Sequence, residues 1–251
     1  MRAVVLALLC ASAVPATAQQ VVIGTSASYP PIIIHDGAAP VSGLEGDLMA
    51  QICARAAWSC TWEFMPFDMI FAALEAGRID IAANSLGHTA ERAARVHMTC
   101  PYRPIAPGDM RGTFFTLDPS HAPRSGPIAV LRGTIHHTAL VEAGLDARLF
   151  SEDRAALDAV LAGDLPAYFG PAPAVENHPS APSFARAGEM EIQSGGTALA
   201  VSPHRPDLAD ALAIQLVALS RDGTITALTR QWIGEGVDDP IALCETSPPI
   251  S

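Results

Sequence analysis

The 251-residue chain carries a formal net charge of −11, which argues against a nucleic-acid partner because such partners require basic patches. Apolar residues make up 49% of the sequence, enough for the core of one large domain or two small ones. After residue 18, no stretch approaches the roughly 18 consecutive apolar residues of a membrane-spanning helix.

The first 18 residues have the organisation of a secretory signal peptide. Arg2 is followed by an apolar run over residues 3–14, and the small residues Ala16-Thr17-Ala18 precede Gln19. A charged start, a short apolar segment and an A-x-A site are typical of such peptides. We therefore expect cleavage after Ala18 and a periplasmic location for the rest of the chain.

Strands and helices alternate along the next part of the chain. Residues 21–24, 61–64 and 79–83 are predicted strands. Asp47 is predicted to cap a helix before the second strand, and Asp68 to cap a helix that Gly77 ends before the third. This alternation is typical of a parallel sheet.

Four cysteines remain after the predicted cleavage: Cys53, Cys60, Cys100 and Cys244. An even number in an exported chain favours disulfides. Cys53 and Cys60 are close in sequence, which leaves Cys100 to pair with Cys244. The alternative is a metal site, but the sequence has no Cys-x-x-Cys and its histidines are scattered. We expect no metal and no cofactor.

The second half of the chain repeats the helix–strand unit of the first. "AALEAGRIDIAA" at 72–83 resembles "AVLAGDLPAYFG" at 159–170, and residues 128–131 form another predicted strand. A helix with Pro206 in its first turn follows, its leucines at 208, 212, 216 and 219 sharing one face. A shorter helix comes after Gly223.

These elements predict an α/β fold with two lobes. The first lobe comprises residues 19–105 and 200–251, and the second comprises residues 106–199. A bond from Cys100 to Cys244 would return the C-terminal end to the first lobe. The chain then crosses near 103–113 and again near 196–201, which makes a two-stranded hinge with a ligand cleft between the lobes.

The segment 84–92 carries the clearest chemistry. The preceding strand is predicted to end at Asn84, and Thr89 caps a new helix with Arg92 in its first turn. A cation is unfavourable at this positive end of the helix dipole. A bound anion would make this placement favourable, since the guanidinium, the free helix N–H groups and the Ser85 hydroxyl could converge on it.

The spacing also allows a purely structural alternative for this arginine. Arg92 could pair with Glu91 or Glu45 on the wet surface of the protein. From the spacing alone, the anion site and the surface ion pair remain equally open.

The order of several short motifs resembles the polar amino-acid family of periplasmic solute-binding proteins, family 3. Cys53 and Cys60 match a disulfide of its histidine- and basic-amino-acid-binding branch. The motifs cover nearly the whole chain after residue 18: Tyr29-Pro30-Pro31, Gly43-Leu44-Glu45-Gly46-Asp47-Leu48, Pro66-Phe67-Asp68, residues 73–80, Thr89-Ala90-Glu91-Arg92, Thr99-Cys100-Pro101-Tyr102 and Asp222-Gly223-Thr224.

The resemblance implies a role for each matching residue. Arg92 matches the arginine that binds the α-carboxylate of the ligand. The other matching positions supply loop contacts, an aromatic sandwich and a second-lobe turn: Asn84, Ser85, Gly87, Tyr29, Phe67, Gly133 and Thr134, with His136 nearby. Exposed loop histidines are the alternative interpretation of His136 and His137.

Two positions depart from the family pattern. Pro171 stands where the family has an aspartate that holds the α-ammonium, and Ser26 stands where members that bind basic amino acids have an acid. A buried ammonium without a carboxylate is costly. A basic amino acid is therefore disfavoured. A neutral or anionic carboxylate, or an amino-acid derivative with a masked amine, is expected unless Glu176 reaches into the cleft.

The resemblance implies a monomeric, non-enzymatic receptor of an ABC importer. It would capture a small carboxylate-bearing solute by lobe closure and deliver it to a permease in the inner membrane. One alternative is an enzyme similar to cyclohexadienyl dehydratases, with Glu176 as general acid. Another is a subunit that presents its ligand to a membrane sensor.

Overall fold

The computed structural model describes residues 18–105, 110–120 and 123–234, and in these residues two β-sheets with flanking helices form two lobes. The first part of the chain contains strands β1 (Gln19–Thr25), β2 (Trp58–Phe64), β3 (Ile81–Gly87), β4 (His97–Met98) and β5 (Arg103–Pro104). Its helices are α1 (Gly43–Arg55), α2 (Ile70–Glu75) and α3 (Ala90–Ala93), with a 3₁₀ turn at Phe67–Met69 before α2.

The second lobe follows, and the chain then returns to the first. The second lobe contains β6 (Arg111–Thr116), β7 (Ile128–Leu131), α4 (Ile135–Glu142), β8 (Ala147–Phe150), α5 (Asp153–Leu161), β9 (Ala167–Gly170), α6 (Ala172–Glu176), a 3₁₀ turn (Ala181–Ser183) and β10 (Ala185–Glu191). The returning chain forms β11 (Gly196–Val201), α7 (Pro206–Arg221) and α8 (Thr224–Ile233).

The two sheets have equivalent strand orders. In the first, the order is β2-β1-β3-β11-β4, with β5 also paired to β11; in the second it is β8-β7-β9-β6-β10. In each sheet the three βαβ strands are parallel, and the fourth strand is antiparallel to them. The predicted repeat is thus a repeat of topology, and the fold of two α/β lobes is confirmed.

The chain crosses between the sheets twice. One crossing lies between β5 and β6. The other lies between Glu191 and Gly196, because β11 pairs along its length with strands of the first sheet. Residues 196–199, assigned from the sequence to the second lobe, therefore belong to a strand of the first sheet.

Packing of the first lobe follows the apolar pattern of the sequence. The side chains of Leu208, Leu212, Leu216 and Leu219 are buried on one face of α7, since a spacing of three or four residues returns to the same face of a helix. The disulfide Cys53–Cys60 joins α1 to β2, as predicted. Cys100 is also disulfide-bonded; its expected partner, Cys244, lies outside the described residues.

Several element boundaries differ from the sequence prediction. Helix α1 begins at Gly43 rather than after Asp47, whose carboxylate instead accepts a hydrogen bond of 2.8 Å from Trp232 Nε1 of α8. Asp68 lies in the 3₁₀ turn and forms no side-chain cap. Strand β3 continues past Asn84 to Gly87 because its last residues pair with β11. No helix in the described parts of the chain is both long and apolar enough to span a bilayer.

Candidate functional site

A cavity of about 800 Å³ lies between the two lobes. It sits at the carboxyl ends of β1 and β3 in the first lobe and of β7, β8 and β9 in the second. Ligands of open α/β sheets bind at this edge, where loops rather than strand pairing occupy the space. The volume is within the usual range of small-molecule sites.

The two lobes touch at the rim of this cavity. Arg92 Nη2 donates to the carbonyl oxygen of Gly133 at 3.1 Å, and Asn177 Nδ2 donates to that of Pro30 at 2.6 Å. The carboxylate of Asp68 lies 3.5 Å from Arg132 Nη1. The structure therefore shows the lobes in contact around the cavity.

Arg92 is held in place from three directions. The hydroxyl of Thr89 accepts a bond from its backbone N–H at 3.2 Å, which confirms the predicted helix cap. Its Nη1 donates to the carbonyl of Gly87 at 2.9 Å, and its guanidinium lies 4.8 Å from the centre of the Phe71 ring. The side chain is 6% exposed, and this burial lowers the pKa of Arg92 to about 10.

The structure contradicts the alternative in which Arg92 forms a surface ion pair. The carboxylate of Glu45 is fully buried and accepts bonds from Ser85 N at 2.9 Å and from the Tyr102 hydroxyl at 2.8 Å. Among the described residues, no carboxylate, including that of Glu91, forms an ion pair with Arg92. Burial raises the pKa of Glu45 to about 7.

The loop residues at the end of β3 line the cavity in different ways. The carbonyl oxygen of the Asn84 side chain accepts bonds from Thr25 Oγ1 and from the N–H and hydroxyl of Ser26, all at 2.8–2.9 Å. Asn84 thus fixes Ser26 and the end of β1. Ser85 adopts a left-handed φ of +51°, which is uncommon without glycine and often marks a functional site.

The second lobe contributes the turn between β7 and α4. Gly133 has a φ of +77°, and Thr134 caps α4 by accepting the N–H of His137 at 3.1 Å. His136 is 6% exposed, so its interpretation as an exposed loop residue is wrong. His136 lines the cavity, and its Nε2 is buried and has no hydrogen-bond partner in the described structure. Burial and the charge of Arg92 lower the pKa of His136 to about 3.

Two aromatic residues predicted to contact the ligand also line the cavity. Tyr29 is half-buried and packs against the apolar clusters of both lobes, and burial raises the pKa of its hydroxyl. The Phe67 ring lies 6.0 Å from the Arg92 guanidinium. All nine residues predicted for the ligand site belong to the cleft region, and eight of them line the cavity directly: Tyr29, Phe67, Asn84, Ser85, Gly87, Arg92, Thr134 and His136.

The carboxylates near the cleft differ from the sequence prediction. Glu176 does not reach inward: its side chain is 62% exposed and pairs with Arg186 at 3.2 Å. Asp153, which the sequence analysis missed, lines the cavity at the start of α5. The available signal was Ser151-Glu152-Asp153 directly before an apolar helix, at the end of a strand that was not predicted.

Comparisons with known proteins agree with the geometry. Residues 21–235 match the bacterial extracellular solute-binding proteins, family 3. The chain is 26% identical to the ABC transporter arginine-binding protein 1 of Escherichia coli (strain K12), with 92% of this chain and 99% of that protein covered. It is 23% identical to the L-cystine-binding protein TcyJ of the same strain, with 86% and 83% covered.

Solved structures show the same fold. A periplasmic His/Glu/Gln/Arg/opine family-binding protein from Silicibacter pomeroyi, in complex with lysine, superposes with a TM-score of 0.77 at 24% identity, covering 87% of this chain and 100% of that chain. Because the family match extends over most of the sequence, the chain belongs to the bacterial extracellular solute-binding proteins, family 3.

Proposed function

We propose that this protein is the periplasmic binding component of an ABC importer and that it captures a small carboxylate-bearing solute, an amino acid or a close analogue, between its lobes. The ligand carboxylate binds Arg92, and the second lobe closes over it. The names of the curated relatives, which include ABC transporter and periplasmic binding proteins for arginine, support this role.

The environment of Arg92 is the observation that supports the proposal. Its guanidinium is buried in the cavity, yet its hydrogen bonds go to the neutral carbonyls of Gly87 and Gly133. A buried charge without an ion-pair partner is costly, and burial accordingly lowers the pKa of Arg92. A ligand carboxylate supplies the missing charge and accepts charge-assisted hydrogen bonds.

The second lobe offers further groups to the same end of the ligand. His136 is neutral at physiological pH, and its unpartnered Nε2 donates or accepts according to its tautomer. A ligand group that bonds this nitrogen removes the cost of leaving it unsatisfied. Ligand binding is thereby coupled to contact between the lobes, because Arg92 and His136 belong to different lobes.

The proposed role in import implies a partner in the membrane. The closed, monomeric protein docks on a permease in the inner membrane, which takes up the ligand as the lobes open. An enzymatic role with Glu176 as general acid lacks support, because the Glu176 side chain lies on the surface and pairs with Arg186.

Calorimetric titration of the dialysed mature protein with amino acids and small carboxylates tests the proposal. Arg92→Met should weaken the binding of any carboxylate ligand by at least about 30-fold, because truncating one partner of a buried charge pair costs about 2–5 kcal/mol. Arg95→Met is the matched control. Arg95 lies in the same region and also faces the Phe71 ring, but it pairs with Glu75 at the surface. Equal affinity in the two variants would refute the role of Arg92.

A further inference from the structure

The side chain of Glu45 is fully buried next to the end of β3. It lies in the first turn of α1, and it does not line the cavity. Its Oε2 accepts the backbone N–H of Ser85 at 2.9 Å, and its Oε1 accepts the hydroxyl of Tyr102 at 2.8 Å. Both carboxylate oxygens are therefore engaged, and the first of them holds a residue that does line the cavity.

Strand β3 is irregular at Ser85. Residues 83–85 of β3 correspond to a single residue, Leu199, of the paired strand β11. Such a bulge takes backbone groups out of the strand ladder and redirects the side chains of the bulged residues. Ser85 has a left-handed φ of +51° at this point, and its N–H bonds the Glu45 carboxylate. The bulge is therefore supported by an acceptor that comes from α1.

The bulge also sets the position of the Arg92 side chain. Gly87, two residues after Ser85, is paired with β11 again, and its carbonyl oxygen accepts the bond of 2.9 Å from Arg92 Nη1. The Ser85 side chain and the acceptor for Arg92 thus belong to the same short segment of β3. Loss of the Glu45 acceptor would leave the N–H of Ser85 unpaired, which favours a regular strand that withdraws Ser85 from the cavity.

The stability of the fold does not by itself explain why a carboxyl group is buried at position 45. Burial raises the pKa of Glu45 to about 7, which reflects the cost of placing a carboxylate in the interior. An apolar side chain of similar size would avoid that cost. The two hydrogen bonds are the contribution that an apolar side chain could not make.

We propose that Glu45 is a positioning residue of the ligand site: its bond to the Ser85 N–H maintains the bulge of β3 that presents Ser85 and Arg92 to the ligand carboxylate. Glu45 itself touches no ligand, and it acts through residues 85–87. This inference rests on the proposed function, because it takes Arg92 as the carboxylate site. It goes beyond that function by assigning part of the ligand affinity to a residue outside the cavity.

Calorimetric titration of Glu45→Met and Glu45→Gln tests the inference, with the standard amino acids and succinate as probes. Methionine fills a similar volume but accepts neither bond, so the tightest-binding probe should bind about tenfold more weakly than to the wild type. The amide oxygen of glutamine accepts the Ser85 N–H, so Glu45→Gln should restore the affinity to within about threefold of the wild type. Recovery by glutamine would show that the bond, and not the charge, positions the segment.

Leu48→Ala is the control for stability, because Leu48 is buried in the same helix and does not line the cavity. This variant should lose stability by leaving a void in the core but keep its affinity for the probe. Deuterium exchange of the ligand-free proteins gives a second measurement. The amides of residues 84–87 should exchange faster in Glu45→Met while those of β1 keep their rate, whereas in Leu48→Ala both segments should change together.

Tyr102→Phe is the second test variant, and it decides the question if Glu45→Met does not fold. It removes the bond that fixes Oε1 of Glu45 and keeps the bond from Ser85 to Oε2. We expect a smaller loss of affinity, about threefold, and faster exchange of residues 84–87 alone. Unchanged affinity together with unchanged exchange in this variant would reject the inference.

Three other results would overturn the inference and leave the proposed function standing: Glu45→Met binds as the wild type does, Leu48→Ala loses as much affinity as Glu45→Met, or Glu45→Gln binds as weakly as Glu45→Met. The first would mean that the bulge persists without Glu45, the second that affinity follows stability, and the third that the charge acts instead of the bond. A wild-type protein that binds none of the probes would overturn both the inference and the proposed function.

Discussion

Arg92 of the first lobe donates a hydrogen bond to the carbonyl oxygen of Gly133 in the second lobe, at 3.1 Å. The bond joins the predicted anion site to the turn that caps α4. Gly133 itself has a φ of +77°, and a Cβ there would lie 3.3 Å from the Cα of Asp68 across the cleft. The contact between the lobes thus depends on a glycine at this position.

Replacing this glycine should weaken ligand binding. In Gly133→Ala, the added methyl group meets the backbone of the first lobe, so the lobes must separate by a few tenths of an ångström and the bond to Arg92 weakens. We expect the affinity for the best ligand to fall at least about tenfold, which corresponds to about 1.4 kcal/mol, as measured by calorimetry.

Gly163→Ala is the control for backbone strain. Gly163 has a φ of +81°, but no atom lies within 4 Å of a Cβ at that position. Both variants should lose about 1 kcal/mol of stability, because an L-residue is disfavoured in the left-handed region. If Gly163→Ala weakened binding as much as Gly133→Ala, the lobe contact would not be the cause.

The unpartnered nitrogen of His136 leads to a second prediction. His136→Leu removes a buried polar atom that lacks a partner, so the melting temperature of the ligand-free protein should stay the same or rise. Ligand affinity should nevertheless fall about tenfold, since a hydrogen bond to the ligand is lost. Thermal unfolding with and without ligand separates the two effects.

His178 provides a matched comparison, because it is also buried but has partners. Its Nε2 lies 3.2 Å from Asp158 Oδ1, and its Nδ1 accepts the N–H of Ser180 at 3.1 Å. His178→Leu should lower the free energy of unfolding by about 1–3 kcal/mol. A His136→Leu variant that is equally destabilised would contradict the prediction that the Nε2 of His136 forms its hydrogen bond with the ligand.

Glu45 should make stability depend on pH. Burial raises its pKa from the ordinary value of 4.5 to about 7, so the folded protein holds this proton more tightly than the unfolded chain. The stabilisation is fully present below pH 4.5 and is lost as the pH rises to about 7. Urea unfolding measured across this range should show the decline.

Glu45→Gln isolates this contribution from the other titrating groups. The amide oxygen can accept the N–H of Ser85, and the amide group can donate to Tyr102. Relative to the wild type, the variant should gain stability as the pH rises from 4.5 to 7. A difference that does not change with pH would show that Glu45 titrates normally in the folded protein.

Local patterns predicted several features correctly. The apolar face of α7 and the Thr89 cap before Arg92 depend on neighbours within four residues, so the sequence shows them directly. Strand β3 was predicted too short because its last residues pair with β11, more than 100 residues later in the chain. Strand β8 was missed because its central residues, Arg148 and Leu149, are exposed at a sheet edge and show no regular alternation.

The features of the candidate ligand site also fall into those that the local sequence predicts and those that contacts between distant residues set. The sequence by itself determined the family and the place of Arg92, because a short capped helix after a buried strand is a local pattern. Only the tertiary structure decided that Glu176 lies on the surface and that Asp153 lines the cavity. The reason is that Asp153 reaches the cleft through the pairing of β8 with β7 and through the Tyr168 hydroxyl beside Gly170, contacts that join residues distant in the chain.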